Sequence, residues 1–372
     1  MPIRVLVVLG TRPEAIKLSP LVLSLRERPE RFQVHLCSTG QHRELLEPVW
    51  ECFGIQPDSK LDAMRAGQSL AESTGRILSL LPPVFEAFHP HLAVVQGDTT
   101  STFCGALAAF YQRVPVAHIE AGLRSGDLSA PFPEELNRNL VGRIAALQFA
   151  ANPDARENLL REGVAEARIH VTGNTGIDAL LRVSRALASG ALTPRVSFPP
   201  TPRPRVLVTM HRREALEAGM PSICQAIRRL VASHEVEVVF PIHPNPQVRK
   251  VIARELPPHE RILRAEPLDY VSFVALMRQS TLALTDSGGI QEEAPYLGLP
   301  VVVLRETTER PEGVRAGLAH LAGFDPDSIY GACREILFSR DSARPEEASH
   351  AIYGDGAASA RIRSVIDSYF ES

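Results

Sequence analysis

The chain has 372 residues, is 44% hydrophobic and 22% charged, and carries a formal net charge of −3. That length suits two domains, or three, each with a core of its own, and the charge leaves no basic footprint for nucleic acid or an anionic membrane surface. No apolar run approaches the roughly 20 residues of a bilayer-crossing helix, and the chain opens directly into a strand, so neither a membrane segment nor a signal peptide is expected. Cys37, Cys52, Cys104, Cys224 and Cys333 are odd in number and scattered without a CxxC pair, which points to a reducing cytoplasm rather than to disulfides or thiolate-bound metal.

Taken in order, strand-like and helix-like segments alternate from end to end. Residues 3–9, 32–38, 92–96, 114–119, 147–150 and 169–171 are apolar, β-branched runs, as strands of a buried parallel sheet should be. Between them lie amphipathic stretches at 13–26, 70–88, 99–111 and 154–161. The second half repeats the scheme with strands at 205–210, 236–242, 261–264, 282–285 and 300–304. This order predicts an α/β protein of two doubly wound units. Residues 189–205 contain Pro194, Pro199, Pro200, Pro202 and Pro204 and read as an extended, exposed linker. A last helix, 357–370, suits either unit.

Ligands of such sheets bind beyond the C-terminal strand ends, and the polar clusters of this chain sit there. After the first strand, Gly10-Thr11-Arg12-Pro13 leads into a helix where Arg12 and Lys17 can meet an anion; no GxGxxG follows, which weakens a nicotinamide or flavin reading. Asp98 follows strand 92–96 as an N-cap candidate. Glu120 follows strand 114–119, a poor place for a solvated charge, and Glu134 and Glu135 open a helix after Pro133. Three carboxylates, Asp98, Glu120 and Glu134, at neighbouring strand or helix ends suit one polar cleft, where crowding spreads their pKa values for acid–base work.

In the second half, His211-Arg212-Arg213 and His243 follow equivalent strands and favour an anionic ligand, without HExxH or HxH metal spacing. Phe273, on a helix at 269–277, is a core residue or a nucleobase contact. Thr285-Asp286-Ser287-Gly288-Gly289 ends a strand and opens a helix, where glycines and unpaired N–H groups form a phosphate cradle. Glu292 and Glu293 lie one turn on, in reach of sugar hydroxyls or as partners of the helix dipole.

GTRPEAIK (10–17), GDTTST (97–102), HIEAGLR (118–124), PFPEELNR (131–138), TGNT (172–175), HRRE (211–214), TDSGGIQEEAP (285–295), TTERPE (307–312) and YGDG (353–356), in that order, resemble the non-hydrolysing UDP-N-acetylglucosamine 2-epimerases over almost the whole chain. The resemblance implies two Rossmann-like domains facing a cleft, the GT-B architecture, with residues 1–172 forming the first domain, 173–354 the UDP-binding second, and helix 355–372 returning to the first. It implies interconversion of UDP-N-acetylglucosamine and UDP-N-acetylmannosamine by a cytoplasmic homodimer, without metal or nicotinamide. Asp98, Glu120 and Glu134 look like its acid–base carboxylates, with base and acid unassigned, and Arg12 and His211 like its catalytic cations. Ser287, Gly288, Gly289 and Glu293 look like its UDP loop, Glu293 on the ribose; Lys17, Arg138, Arg212, His243 and Phe273 join the substrate-binding set.

Some positions depart from the pattern. Ala215 replaces an Asn after HRRE, and Ala351-Ile352 replace Asn-Pro before YGDG. Gln41 and His42 remain from an effector turn seen in some members, but Glu44 and Gly67 stand where effector-responsive members carry Gln and Arg, which puts effector activation in doubt. Other readings are a 2-epimerase of a UDP-diacetamido uronic acid, a GT-B glycosyltransferase and a nucleotide-sugar sensor. A sensor has no need of three acids, and a transferase needs an acceptor site.

Overall fold

The structure, a computed structural model, describes residues 1–371 apart from 42, 66, 211–218, 309 and 339–351. It divides into two compact units, Met1–Ala179 with Tyr353–Ser372, and Leu180–Ile352. The division falls inside the helix Thr175–Ala188, ahead of the proline-rich segment.

Among the described residues, the first unit is built on seven strands: β1 (Ile3–Leu9), β2 (Phe32–Ser38), β3 (Ser59–Lys60), β4 (Leu92–Gln96), β5 (Val116–Ala121), β6 (Leu147–Ala150) and β7 (Ile169–Val171). They lie in the order β3-β2-β1-β4-β5-β6-β7, and every pair is parallel. The second has six: β8 (Arg205–Thr209), β9 (Glu237–Pro241), β10 (Ile262–Ala265), β11 (Leu282–Thr285), β12 (Val301–Val303) and β13 (Ala319–Leu321), in the order β10-β9-β8-β11-β12-β13, again all parallel. Helices connect the strands in both units, the doubly wound α/β arrangement that the alternating pattern predicts.

The strands are apolar throughout because both faces are covered. In β1, Leu6 and Val8 pack with Ala93 and Val95 of β4 against Ile77 and Cys104 from the helices on one side, while Val5 and Val7 are equally buried on the other. Each such Val or Leu contributes about 1.5–3 kcal/mol on full burial. The second unit has an equivalent core around Val206, Val208, Val238, Phe240 and Leu284.

Several boundaries differ from the sequence expectation. Strand β5 starts at Val116 rather than 114, because Pro115 has no N–H for the ladder. The helix expected over 70–88 is two, Leu70–Leu80 and Pro82–Phe88, broken where Pro82 and Pro83 cannot donate to the preceding turn. Strands β3 and β13 were not expected; they have two and three residues, too few to show a period. The proline-rich segment is mostly exposed but pinned, through Val196 N–H donating to Ser272 Oγ (3.0 Å) and buried Arg205 donating to Glu237 (2.6 Å), Gln279 (2.8 Å) and Pro199 O (2.5 Å).

The last helix, Ala358–Tyr369, belongs to the first unit. It buries Ile362 and Ile366, and Asp178 accepts the N–H groups of Ser359 (2.7 Å) and Ala358 (3.2 Å) at its N-terminus. Asn174 N–H donates to Tyr353 O at 3.0 Å beside it.

Candidate active site

In the first sheet the chain order reverses between β1 and β4, the switch point of a doubly wound fold, where strand ends open a crevice. Of the polar residues that the sequence places at strand ends, Asp98 and Glu120 come together here. Gly97, at φ +73, turns the chain out of β4 and sends Asp98 forward. Asp98 is not the cap of the following helix. Thr99 is, its Oγ1 accepting from Thr102 N at 3.1 Å, which corrects the capping assignment and leaves the Asp98 carboxylate for other partners.

Glu120 sits inside β5 at a register shift between Ile119 and Ala121, with φ +62. A non-glycine residue in that region costs of order 1–3 kcal/mol and persists only where its surroundings hold it. What holds it is visible. Lys17 Nζ donates to both carboxylate oxygens, at 2.8 and 2.6 Å, and Gln96 Nε2 donates to Oε2.

Asp98 forms the second half of the cluster. Arg138 Nη2 donates to its Oδ2, and Asn137 Nδ2 donates to its backbone carbonyl at 2.9 Å. Both come from the helix Glu134–Ile144. The Asp98 side chain keeps 28% of its surface, yet burial is the main influence on it and raises its pKa; the Arg138 charge opposes this and Glu120 reinforces it. His118, fully buried with Nε2 on Gly97 O at 2.7 Å, has its pKa pushed down to about 4 by burial, so it stays neutral beside the two acids.

Glu134 is half-buried and lies one helical turn before Arg138, on the face that carries the Asp98 contact. Arg12 opens the helix Arg12–Arg26 at the end of β1, partly exposed. Gln41, half-buried, accepts from Ser101 Oγ at 2.8 Å.

The second sheet has its own switch point, between β8 and β11. Thr209 Oγ1 and Thr285 Oγ1 are 2.7 Å apart across it, and Thr285 Oγ1 accepts from Ser287 N at 3.0 Å, shaping the turn into the short helix Gly288–Glu293. Among the described residues, a Cβ built on Gly289 meets nothing nearer than Ser287 Oγ at 3.9 Å, so the turn's face has room for a ligand. The two acids that follow have different surroundings. Glu292 is buried against Arg310, which donates Nε to it, whereas Glu293 keeps a partly exposed side chain.

Comparison with known proteins extends over nearly the whole chain. The family model for UDP-N-acetylglucosamine 2-epimerase matches residues 24–367. The chain belongs to the UDP-N-acetylglucosamine 2-epimerase family. It is 47% identical to the UDP-N-acetylglucosamine 2-epimerase of Salmonella typhimurium, over 98% of this chain and 99% of that protein. It is 46% identical to that of Escherichia coli K12, over 96% and 97%. The crystal structure of the Neisseria meningitidis UDP-GlcNAc 2-epimerase bound to UDP-GlcNAc matches with a TM-score of 0.90 and 41% identity, covering 98% of this chain and 99% of that one.

Within this epimerase-family chain, the structure brings Lys17, Asp98, Glu120 and Arg138 together at the first switch point. His211, Arg212 and His42 lie outside the described residues. His243 is exposed after β9, its Nδ1 accepting from Asn245 N at 3.3 Å. Phe273 is half-buried, off the buried face of the helix Tyr270–Arg278, so it is not the core residue that a purely apolar reading makes it. Gln96 and Glu135 were missed. Gln96 closes an apolar strand and reads as its last residue; Glu135, 1% exposed and facing Arg138 at 3.2 Å, is masked in sequence by its neighbour Glu134.

Proposed function

We propose that the chain interconverts UDP-N-acetylglucosamine and UDP-N-acetylmannosamine by elimination and re-addition of UDP. The cation-held pair Glu120 and Asp98 at a switch point, in a chain of this family, carries the reading. Carbon 2 of the sugar has no carbonyl beside it, so its hydrogen is not acidic enough to be removed directly. Departure of UDP from carbon 1 gives that carbon oxocarbenium character, and the carbon-2 proton can then pass to a carboxylate. The products are 2-acetamidoglucal and UDP. A proton delivered to the opposite face of carbon 2, with UDP adding back to carbon 1, gives the epimer.

Asp98, Glu120 and Glu134 are the proton-exchanging set in this reading. Asp98, whose pKa burial raises, is suited to hold a proton, and Glu120 is fixed in place by Lys17. Arg12 and His211 offset the charge that develops on the departing diphosphate. Ser287, Gly288, Gly289 and Glu293 bind UDP, with Arg212, His243 and Phe273 completing its site. The enzyme acts as a cytoplasmic homodimer and supplies N-acetylmannosamine units for cell-surface polysaccharide.

Incubation with UDP-N-acetylglucosamine in deuterated water tests the reading. Deuterium at carbon 2 of both epimers is expected. Turnover of a UDP-diacetamido uronic acid alone, or transfer of the sugar to an acceptor, would replace it.

A further inference from the structure

Glu135 lies beside the proton-exchanging acids without being one of them. Its side chain is buried, with Oε2 accepting from Ser125 N (3.0 Å) and facing Arg138 Nη1 (3.2 Å), and Oε1 accepting from Gly126 N (3.3 Å) and Asn139 Nδ2 (3.4 Å). A first-turn acid is ordinarily explained by the helix dipole. A dipole partner needs neither a guanidinium nor two amides from the preceding loop, and it need not be buried. The other amino group of Arg138 donates to Asp98 Oδ2. One guanidinium is thus divided between a buried carboxylate and the carboxylate assigned to proton exchange.

We propose that Glu135 is a positioning residue for the reaction: it anchors Arg138 against Asp98 and, by sharing its charge, sets how tightly Asp98 holds a proton. This rests on the epimerase reading of Asp98. The charged groups that face Asp98 are Arg138 and, through it, Glu135 from the helix Glu134–Ile144, Glu120 from β5 and Lys17 from the helix Arg12–Arg26. Among the described residues, His118 of β5, bonded to Gly97 O, is a further titratable neighbour and is neutral above its pKa of about 4.

Two substitutions separate charge from placement. In Glu135→Gln the amide oxygen can keep the Ser125 and Arg138 contacts and the negative charge is gone, while the amide nitrogen, a donor, gives up the two longer contacts with the Gly126 and Asn139 donors. Arg138 then acts wholly on Asp98, and the limb of the kcat/KM against pH profile that Asp98 controls moves down by about 0.5–1 pH unit, with UDP affinity unchanged. Glu135→Ala removes the anchor, and kcat falls by about tenfold or more through misplacement of Arg138. A direct titration of the Asp98 carboxyl carbon by NMR, assigned with Asp98→Asn, reads the same downward shift in Glu135→Gln without turnover. An unchanged profile and an unchanged carboxyl titration overturn the inference while leaving wild-type epimerisation intact. No epimerisation by the wild-type protein overturns the reading of Asp98, and this inference with it.

Discussion

Lys17 holds both oxygens of Glu120, at 2.8 and 2.6 Å, across the switch point of the first sheet. The lysine comes from the helix after β1 and the glutamate from a strained position in β5, so the pair joins two elements that are far apart in sequence. The lysine expected to meet an anion also pairs with this acid. Its charge balances the carboxylate and fixes the direction of both oxygens.

Asp98→Asn, Glu120→Gln and Glu134→Gln preserve size and lose acid–base capacity. Each is expected to lower kcat by roughly 10²–10⁴-fold with little change in UDP affinity. Deuterium exchange at carbon 2 should slow most in the variant that removes or returns the proton. A variant that mainly impairs UDP departure should also suppress release of the glycal. Near-normal turnover in all three would return these acids to capping and dipole roles.

Glu292 and Glu293 should separate cleanly. Glu293→Ala is expected to weaken UDP binding by about 1–3 kcal/mol in calorimetry, with the melting temperature unchanged. Glu292→Ala removes the carboxylate to which Arg310 Nε donates, a contact whose guanidinium partner is only 8% exposed, and should destabilise the fold by about 1–3 kcal/mol. UDP affinity that is unchanged in Glu293→Ala would move the nucleotide elsewhere.

Among the described residues, the acids at the first switch point have Lys17, Arg138 and Gln96 as partners, a setting that disfavours a metal cation beside them. Activity should therefore survive EDTA and need no added NAD. Loss with chelator and recovery with one divalent ion would contradict this.

The two sheets were legible because parallel strands buried on both faces read as unbroken apolar runs, and 3–9, 92–96 and 282–285 reappear as β1, β4 and β11. The placement of Asp98 just beyond β4 was legible for the same reason, whereas Glu120, expected after its strand, lies inside β5. What was not legible is how side chains are shared. Nothing in the spacing tells Glu292 from Glu293, since which carboxylate turns inward depends on Arg310, distant in sequence. Nor does spacing show that Thr99, rather than Asp98, caps its helix, because both residue types cap well. The break at Pro82 was readable from the proline pair alone, and the shortest strands, β3 and β13, exist only through their partners.

Gly173 and Gly354 pack backbone to backbone where the chain leaves and re-enters the first unit. A Cβ on Gly354, at φ +102, would lie 3.0 Å from Gly173 Cα. Gly354→Ala meets both a forbidden backbone region and a neighbour that cannot move aside, and is expected to cost about 1–3 kcal/mol in denaturant unfolding. Gly190→Ala is the control, since it shares a positive φ of 75° but has nothing within 4 Å among the described residues. Equal effects would assign the cost to φ alone.

Asp98 should tax the stability of the fold it serves. Burial raises its pKa above 3.8 in the folded state, even against the Arg138 charge. Between the unfolded value and the raised one, the native protein holds a proton that the unfolded chain has released, so stability falls as pH rises through that window. Above the window the native state carries a carboxylate it would hold more cheaply as an acid. Asp98→Asn is neutral at every pH and lacks this loss. Glu14 and Asp178, whose pKa values burial also raises, titrate in both proteins and cancel in the difference. The stability of Asp98→Asn relative to wild type, measured by urea unfolding, should therefore rise from below pH 4 and level off above the raised pKa, while its turnover collapses. A difference that shrinks with rising pH would mean that Arg138 holds the Asp98 carboxylate ionised more strongly than burial opposes it, and would take from Asp98 the role of proton holder.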